Sequence, residues 1–393
     1  MRTTSISAIR CHLPAAVLLA LLPSIAASQT HGPIGLEPLA SQVDALFAPY
    51  NNATPGCAVG VIYHGEYLLE AGYGLANLEH DIPITPQSVF RTGSLSKQFT
   101  AMVVAILAER DEIDLDADVH TYLPDLIDYG VPVTTRQIIL HQSGLPDYEE
   151  GLFFKPDGKE FRFGNEDYWT TEEFYEAVRE VPLRTSPESE WYYSNLGYFL
   201  LSQIVERATG KTLRELGQEE IFGPLGMGAT FFNDNADEPV KNRAAGYKRL
   251  DDGSYEIYMT NLDWVGDGGI YTNLDDFVRW DRNFDDNHLG SGGSRLIDGI
   301  TTPLVPIPTN EREAWDESSY GFGLFIGTQD GHRVIGHTGG WVGFSSIYLR
   351  YPDLGLSTVT FCNSAEIDAT DLGNRVARMY VEAITALDGP DTK

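Results

Sequence analysis

A serine three residues before a lysine occurs once in this chain, at Ser94-Leu95-Ser96-Lys97. Apolar side chains follow at Phe99, Met102, Val103, Ile106 and Leu107. Their 3.6-residue period predicts a helix over residues 95–110. At the start of that helix Ser94 and Lys97 share one face, a turn apart. A hydroxyl beside an amine becomes a nucleophile when the amine accepts its proton. The helix N-terminus adds unpaired N–H groups and a positive dipole end, which favour a developing negative charge.

An exposed helix start could carry the same tetrapeptide without any chemistry. Two further segments, in order along the chain, give it weight. Tyr193-Ser194-Asn195 follows about a hundred residues later, and His337-Thr338-Gly339 lies near the C-terminus. Tyr-x-Asn recurs at Tyr50-Asn51-Asn52 and Tyr271-Thr272-Asn273, so it means little alone. His337-Thr338-Gly339 is the only His-Thr-Gly or Lys-Thr-Gly in the sequence.

These residues need a scaffold, and the composition supplies one. The chain has 393 residues, 42% hydrophobic and 21% charged, enough for two lobes with substantial cores. Lys and Arg number 27 against 57 Asp and Glu, a formal charge of −30. That balance argues against a nucleic-acid partner, which needs a basic face, and describes a strongly solvated acidic surface. The nine histidines follow no metal-ligand spacing such as H-E-x-x-H, and no metal or organic cofactor is implied.

The N-terminus carries Arg2 and Arg10, an apolar run from Leu13 to Ala27, and small residues Ala26, Ala27 and Ser28. This reads as a cleavable secretory signal over residues 1–28. The run is short for a membrane span, so no stable span is expected after cleavage, and the expected location is periplasmic or extracellular. Export leaves Cys57 and Cys362, one at the edge of a strand-like segment near each end of the mature chain. They could pair in an oxidising compartment, and two separate buried thiols are the alternative.

Strand-like runs at 57–64 and 67–73, separated by Gly65-Glu66, predict a hairpin. From about 112 to 285 the pattern is helical and loop-rich, with helices expected at 172–180, 195–208 and 212–222, and Gly210 placed to end the second. The stretches 290–294 and 303–308 read as loops. Strands are expected at 320–326, 333–338, 343–351 and 356–362, with a turn at Pro352-Asp353-Leu354-Gly355 and a last helix over 366–387. Strands at both ends around a helical middle predict an α+β fold. One antiparallel sheet is built from both termini, flanked by helices, with a mostly helical lobe inserted and a cleft between. The expected division is an α/β lobe over about 29–111 and 286–393 and a helical lobe over about 112–285.

With its three motifs in this order, the chain resembles the serine β-lactamase and penicillin-binding superfamily, in the branch of class C β-lactamases, DD-peptidases and related esterases. The likeness extends to Pro55-Gly56, Phe90-Arg91-Thr92-Gly93, His141-Gln142-Ser143-Gly144-Leu145, Tyr193 through Tyr198, Gly268-Gly269 and His337 through Phe344. It implies a β-lactamase/transpeptidase-like fold. It implies that Ser94 is acylated, that Lys97 takes or relays its proton, and that Tyr193 passes a proton to the leaving group. Asn195 is implied to position Lys97 and the substrate amide. The N–H groups of Ser94 and Gly340 would form an oxyanion hole, and His337, Thr338, Gly339 and Gly340 would line the substrate site. His141 reads as a loop holder, and Trp341 and Tyr148 as candidates to line the cleft. In this fold the terminal strands should be neighbours, which motivates a Cys57–Cys362 bridge.

Bland alternatives stand beside these roles: Tyr193 as a core aromatic, Asn195 as a helix cap, His337 and Thr338 as plain strand residues. Two departures from the family matter. His337 stands where most β-lactamases have Lys, which favours a peptidase or esterase and predicts a change in activity where imidazole titrates, flattened by His337→Lys. Ser186-Pro187-Glu188-Ser189 stands where relatives have Pro-Gly. The expected function is an exported serine hydrolase acting on a small-molecule or peptide amide or ester through a Ser94 acyl-enzyme, like a D-alanyl-D-alanine carboxypeptidase (DD-carboxypeptidase) or a β-lactamase. The alternatives are a small-ester hydrolase of the same fold, and a penicillin-acylated sensor with slow turnover. An α/β-hydrolase is disfavoured, because no Gly-x-Ser-x-Gly occurs.

Overall fold

The computed structural model describes residues 36–148, 164–308, 315 and 317–387. The signal segment, residues 1–28, lies outside the described residues.

Eight antiparallel strands form the main sheet. They are β1 (Cys57–Tyr63), β2 (Glu66–Tyr73), β3 (Val305–Pro306), β4 (Glu317–Tyr320), β5 (Phe325–Gln329), β6 (His332–Trp341), β7 (Phe344–Tyr351) and β8 (Leu356–Cys362). Their spatial order is β3-β4-β5-β6-β7-β8-β1-β2. The N-terminal hairpin therefore completes a sheet begun by the C-terminal strands. The seam is the β1–β8 pair, in register from Cys57↔Cys362 to Tyr63↔Leu356. Cys57 and Cys362 form a disulfide across that seam, with Cα atoms 4.1 Å apart. β1 and β8 are buried along nearly their whole length, which accounts for the apolar run of β1 and for the small hydroxyl residues Ser357, Thr358 and Thr360 among the apolar ones of β8.

Five helices matter for the site: α1 (Glu37–Phe47), α2 (Lys97–Glu109), α3 (Asn195–Thr209), α4 (Leu274–Asn283) and α5 (Ala369–Leu387). Gly210 closes α3 in the left-handed conformation, with φ 74°. α5 packs on β7 and β8, where Gly373 leaves room for Ile347 and Thr360. The next residue on β7, Tyr348, points to the other face and donates to Asp281 of α4. Helices thus cover both faces of the sheet.

Two expectations change. Residues 320–326 are not one strand: Tyr320 ends β4 and Phe325 begins β5, directly paired across a turn. The unbroken apolar run hid that turn, which Gly323 makes possible at φ 71°. Residues 303–308 are not wholly loop, because Val305–Pro306 forms the edge strand, where a proline is tolerated. The stretch 112–285 also contacts the elements on either side of it. Ile270–Thr272 pairs with Phe90–Arg91 beside the Ser94 turn, and α4 packs on β1 and β2.

Candidate active site

Ser94 sits in a 3-10 turn, Gly93–Ser96, that runs directly into α2. Ser96 ties this turn down, donating to the Gly93 carbonyl at 2.7 Å and accepting from Ile270 N–H at 3.0 Å. β6 crosses immediately beside it. A Cβ on Gly339 would lie 2.0 Å from the Thr92 carbonyl oxygen and 2.4 Å from Ser346 Oγ, so only glycine permits this approach. Ser346 Oγ donates to the same Thr92 carbonyl at 2.7 Å, joining β7 to the turn. Gly340 is exposed, with nothing within 4 Å of an added Cβ.

Lys97 is fully buried. Its Nζ lies 3.1 Å from Ser94 Oγ, 2.6 Å from Asn195 Oδ1 and 2.6 Å from the Asp267 carbonyl oxygen. It also lies 4.9 Å from the centre of the Tyr193 ring and 5.5 Å from that of Tyr198. Asn195 is the first residue of α3, but the cap is Ser194, whose side chain accepts from Gly197 N–H at 3.1 Å. The Asn195 side chain is thereby left for Lys97. Its backbone N–H donates to Asp147 Oδ2 at 2.7 Å, a carboxylate at a helix N-terminus.

Tyr193 is half-buried, its ring 4.4 Å from that of His141 and 6.1 Å from that of His337. His141 holds the approaching loop. Its carbonyl accepts from Tyr192 N–H at 2.9 Å and its Nδ1 from Ser194 N–H at 3.1 Å. Burial, then the Lys97 charge, push the His141 pKa well below the ordinary value. The structure therefore brings Ser94, Lys97, Tyr193, Asn195, His337, Thr338, Gly339 and Gly340 to one place.

His337 differs from expectation. Its side chain is only 2% exposed. Nδ1 lies 2.5 Å from the Thr338 carbonyl and Nε2 lies 3.2 Å from the Tyr320 hydroxyl. A neutral ring donating from Nδ1 and accepting at Nε2 satisfies both partners. Burial, then the Lys97 charge, lower its pKa to about 3. The imidazole is neutral throughout the range in which a free histidine titrates, so it offers no titration there for His337→Lys to flatten. With both ring nitrogens engaged, it shapes the site rather than presenting a donor to a substrate. Thr338, half-exposed, remains at the surface of the cleft.

Tyr148 does not line the cleft. It is buried against Phe174 and Trp264, and its hydroxyl donates to Asp267 Oδ2. Trp341 is half-buried, its ring 5.4 Å from the Arg91 guanidinium. At the Pro-Gly departure, Glu188 adopts φ 62°, the left-handed region that explains a glycine in relatives. Sequence reasoning missed Asp147, Asp267 and Tyr320. Asp267 sits inside Gly266-Asp267-Gly268-Gly269, where only the glycines drew notice; a lone acid amid glycines was the available signal. Among the described residues no cluster of side chains could hold a metal ion, and no helix is long and apolar enough to cross a membrane.

The Beta-lactamase family model matches residues 43–381. A D-aminopeptidase of Gluconobacter oxydans is 31% identical over 344 residues, which are 85% of this chain and 62% of that protein. Penicillin-binding protein 4* of Bacillus subtilis is 28% identical over 319 residues, 77% of this chain and 66% of that protein. The chain thus spans less than two thirds of these relatives' lengths. The octameric penicillin-binding protein homologue from Pyrococcus abyssi superimposes with a TM-score of 0.76 at 24% identity, over 88% of this chain and 77% of that one. A match over most of the chain, on a β-lactamase/transpeptidase-like fold with all three motifs converging, gives one conclusion: the chain belongs to the Beta-lactamase family.

Proposed function

We propose that this protein is an exported serine hydrolase that cleaves an amide or ester through an acyl-enzyme on Ser94. The observation that carries this reading is the 3.1 Å contact between Lys97 Nζ and Ser94 Oγ, with Asn195 at 2.6 Å holding the amine in place. Ser94 Oγ attacks the substrate carbonyl, and its proton passes to the Lys97–Tyr193 pair. The tetrahedral oxyanion lies against the N–H groups of Ser94 and Gly340. Collapse expels an amine or alcohol, which takes the proton back through Tyr193. Water then attacks the ester, releasing the acid and restoring Ser94. Every step uses groups of this chain, substrate and water.

A neutral His337 favours substrates that do not need a fixed cation at the third motif. Amides whose reacting end carries no carboxylate fit this better than D-alanyl-D-alanine peptides or β-lactams. The name of the Gluconobacter relative, a D-aminopeptidase, points the same way. Export is supported by the Cys57–Cys362 disulfide, which persists in oxidising compartments. The test is a panel of D-amino-acid amides, D-Ala-D-Ala peptide, nitrocefin and short-chain esters against wild type and Ser94→Ala. Turnover of at least one, lost in Ser94→Ala, is the expected result. Full turnover in the variant overturns the assignment.

A further inference from the structure

We propose that Tyr320 is a positioning residue of the active site: its hydroxyl fixes the His337 imidazole in the form that grips the Thr338 carbonyl, and so steadies the edge of β6 that carries the Gly340 N–H. This rests on the hydrolase reading given above, in which Gly340 donates to the oxyanion, and deepens it. Tyr320 and His337 are both buried. Their polar atoms therefore need partners inside the protein.

The hydrogen bonds set the direction of each proton. His337 Nδ1 lies 2.5 Å from the Thr338 carbonyl oxygen, which can only accept, so Nδ1 carries the ring proton. Burial, then the Lys97 charge, keep the ring neutral, which leaves Nε2 as a bare acceptor. The Tyr320 hydroxyl, 3.2 Å away, is its donor. No other group donates to Nε2 among the described residues. Tyr198 also neighbours the Tyr320 hydroxyl, but its own proton goes to the Ile139 carbonyl at 2.9 Å. Of the two acceptors open to Tyr320, the imidazole nitrogen is the more basic.

The sheet brings these groups together. Tyr320 ends β4 opposite Phe325 of β5, and Phe325 lies opposite Gly336 of β6. The Phe325 ring packs 5.0 Å from that of Tyr320 and 4.8 Å from that of His337. Tyr320 also meets the His141 ring at 4.7 Å, so it stands behind both imidazoles that neighbour Tyr193. Pairing of β5 with β6 stops at Gly336, while β7 pairs on to Trp341. One edge of β6 beyond Gly336 is therefore without a strand among the described residues. Alternate residues of an antiparallel strand turn their N–H and C=O groups to the same edge. With the Gly340 N–H facing the cleft, the Thr338 carbonyl lies on that open edge two residues back. His337 Nδ1–H stands there in place of a neighbouring strand's N–H, and Tyr320 keeps it pointed.

The experiment has two arms, both built on Tyr320→Phe, which removes only the hydroxyl and keeps the ring. The first is 15N NMR of the imidazole nitrogens, with His337 assigned by its loss in His337→Phe. Wild type is expected to show a protonated Nδ1 and a bare, hydrogen-bonded Nε2. In Tyr320→Phe the Nε2 resonance should move downfield as its donor is lost, and the Gly340 amide resonance should shift with it. A protonated Nε2 in wild type, or a Gly340 amide that stays in place, overturns the proposal. The second arm is a double-mutant cycle in kcat on a substrate the enzyme turns over. Tyr320→Phe is expected to lower kcat about 3- to 10-fold, the worth of one hydrogen bond, with KM within about twofold. In the His337→Phe background the same change should cost nothing further. An equal loss in both backgrounds, or a loss confined to KM, overturns the proposal; a merely structural Tyr320 would lower Tm alike in both. If no substrate is turned over, the hydrolase reading fails, while the first arm still decides whether Tyr320 holds this edge.

Discussion

Lys97 Nζ and Asn195 Oδ1 meet at 2.6 Å although 98 residues separate them in the chain. The contact joins the start of α2 to the start of α3, so two helix N-termini converge on one buried amine. Ser194 caps α3 and frees Asn195 for this task. Asn195→Ala should therefore lower kcat/KM by roughly 10- to 100-fold, the worth of a hydrogen bond to a charged group, with little change in thermal stability. Steady-state kinetics beside a melting curve checks it; a large fall in Tm with unaltered kinetics would contradict the assignment.

Tyr193 sits with its ring 4.9 Å from Lys97 Nζ. Tyr193→Phe keeps the ring against His141 and removes only the hydroxyl. The expected loss is about 100- to 10,000-fold in kcat, typical of a proton-transfer group, with KM nearly unchanged. A variant that loses only affinity would place Tyr193 in binding instead.

Gly339 and Gly340 are adjacent and should respond oppositely. A Cβ on Gly339 would meet the Thr92 carbonyl at 2.0 Å, and backbone must move to relieve it. Gly339→Ala should pry β6 from the Ser94 turn and cost on the order of 100-fold in activity. Gly340→Ala meets nothing within 4 Å, so the fold should keep its stability. Parallel melting and activity assays on the two variants decide this.

His337 gives the fold an acid sensitivity. Its ordinary value is 6.5, and in the native protein it is about 3. Between these values the unfolded chain binds a proton that the native state does not. Stability therefore falls as pH drops from about 6.5 towards 3, and is unaffected by His337 above that window. His141, lowered in the same direction, adds to the slope. Urea unfolding at pH 7, 5 and 4 should show the decline, and His337→Gln should make it shallower by one proton. An equal slope in wild type and variant would remove His337 from the account.

Cys57 and Cys362 stand opposite each other at the seam where the chain's two ends join. Thiol titration of the denatured, unreduced protein should find neither of them free. Cys57→Ala should lower stability by about 2–5 kcal/mol, because a 305-residue separation is no longer closed in the unfolded chain.

What the sequence by itself determined was local or strongly patterned. The nucleophile helix, the 57–73 hairpin, the strands at 344–351 and 356–362 and the terminal helix all follow from periodicity and turn residues within a few positions. The three motifs could be recognised because their residue types are restricted by chemistry. What tertiary structure decided was everything that depends on distant neighbours. Burial on β6, beside a buried lysine, turns His337 from a titratable group into a neutral one, and no spacing in the sequence carries that information. The same holds for Asp267, an acid between glycines until folding sets it against Lys97 and Tyr148. It holds for residues 320–326, where an apolar run looks identical whether it is one strand or two joined by a turn. Electrostatic environment and strand pairing are properties of what packs alongside, and only the folded chain brings those neighbours together.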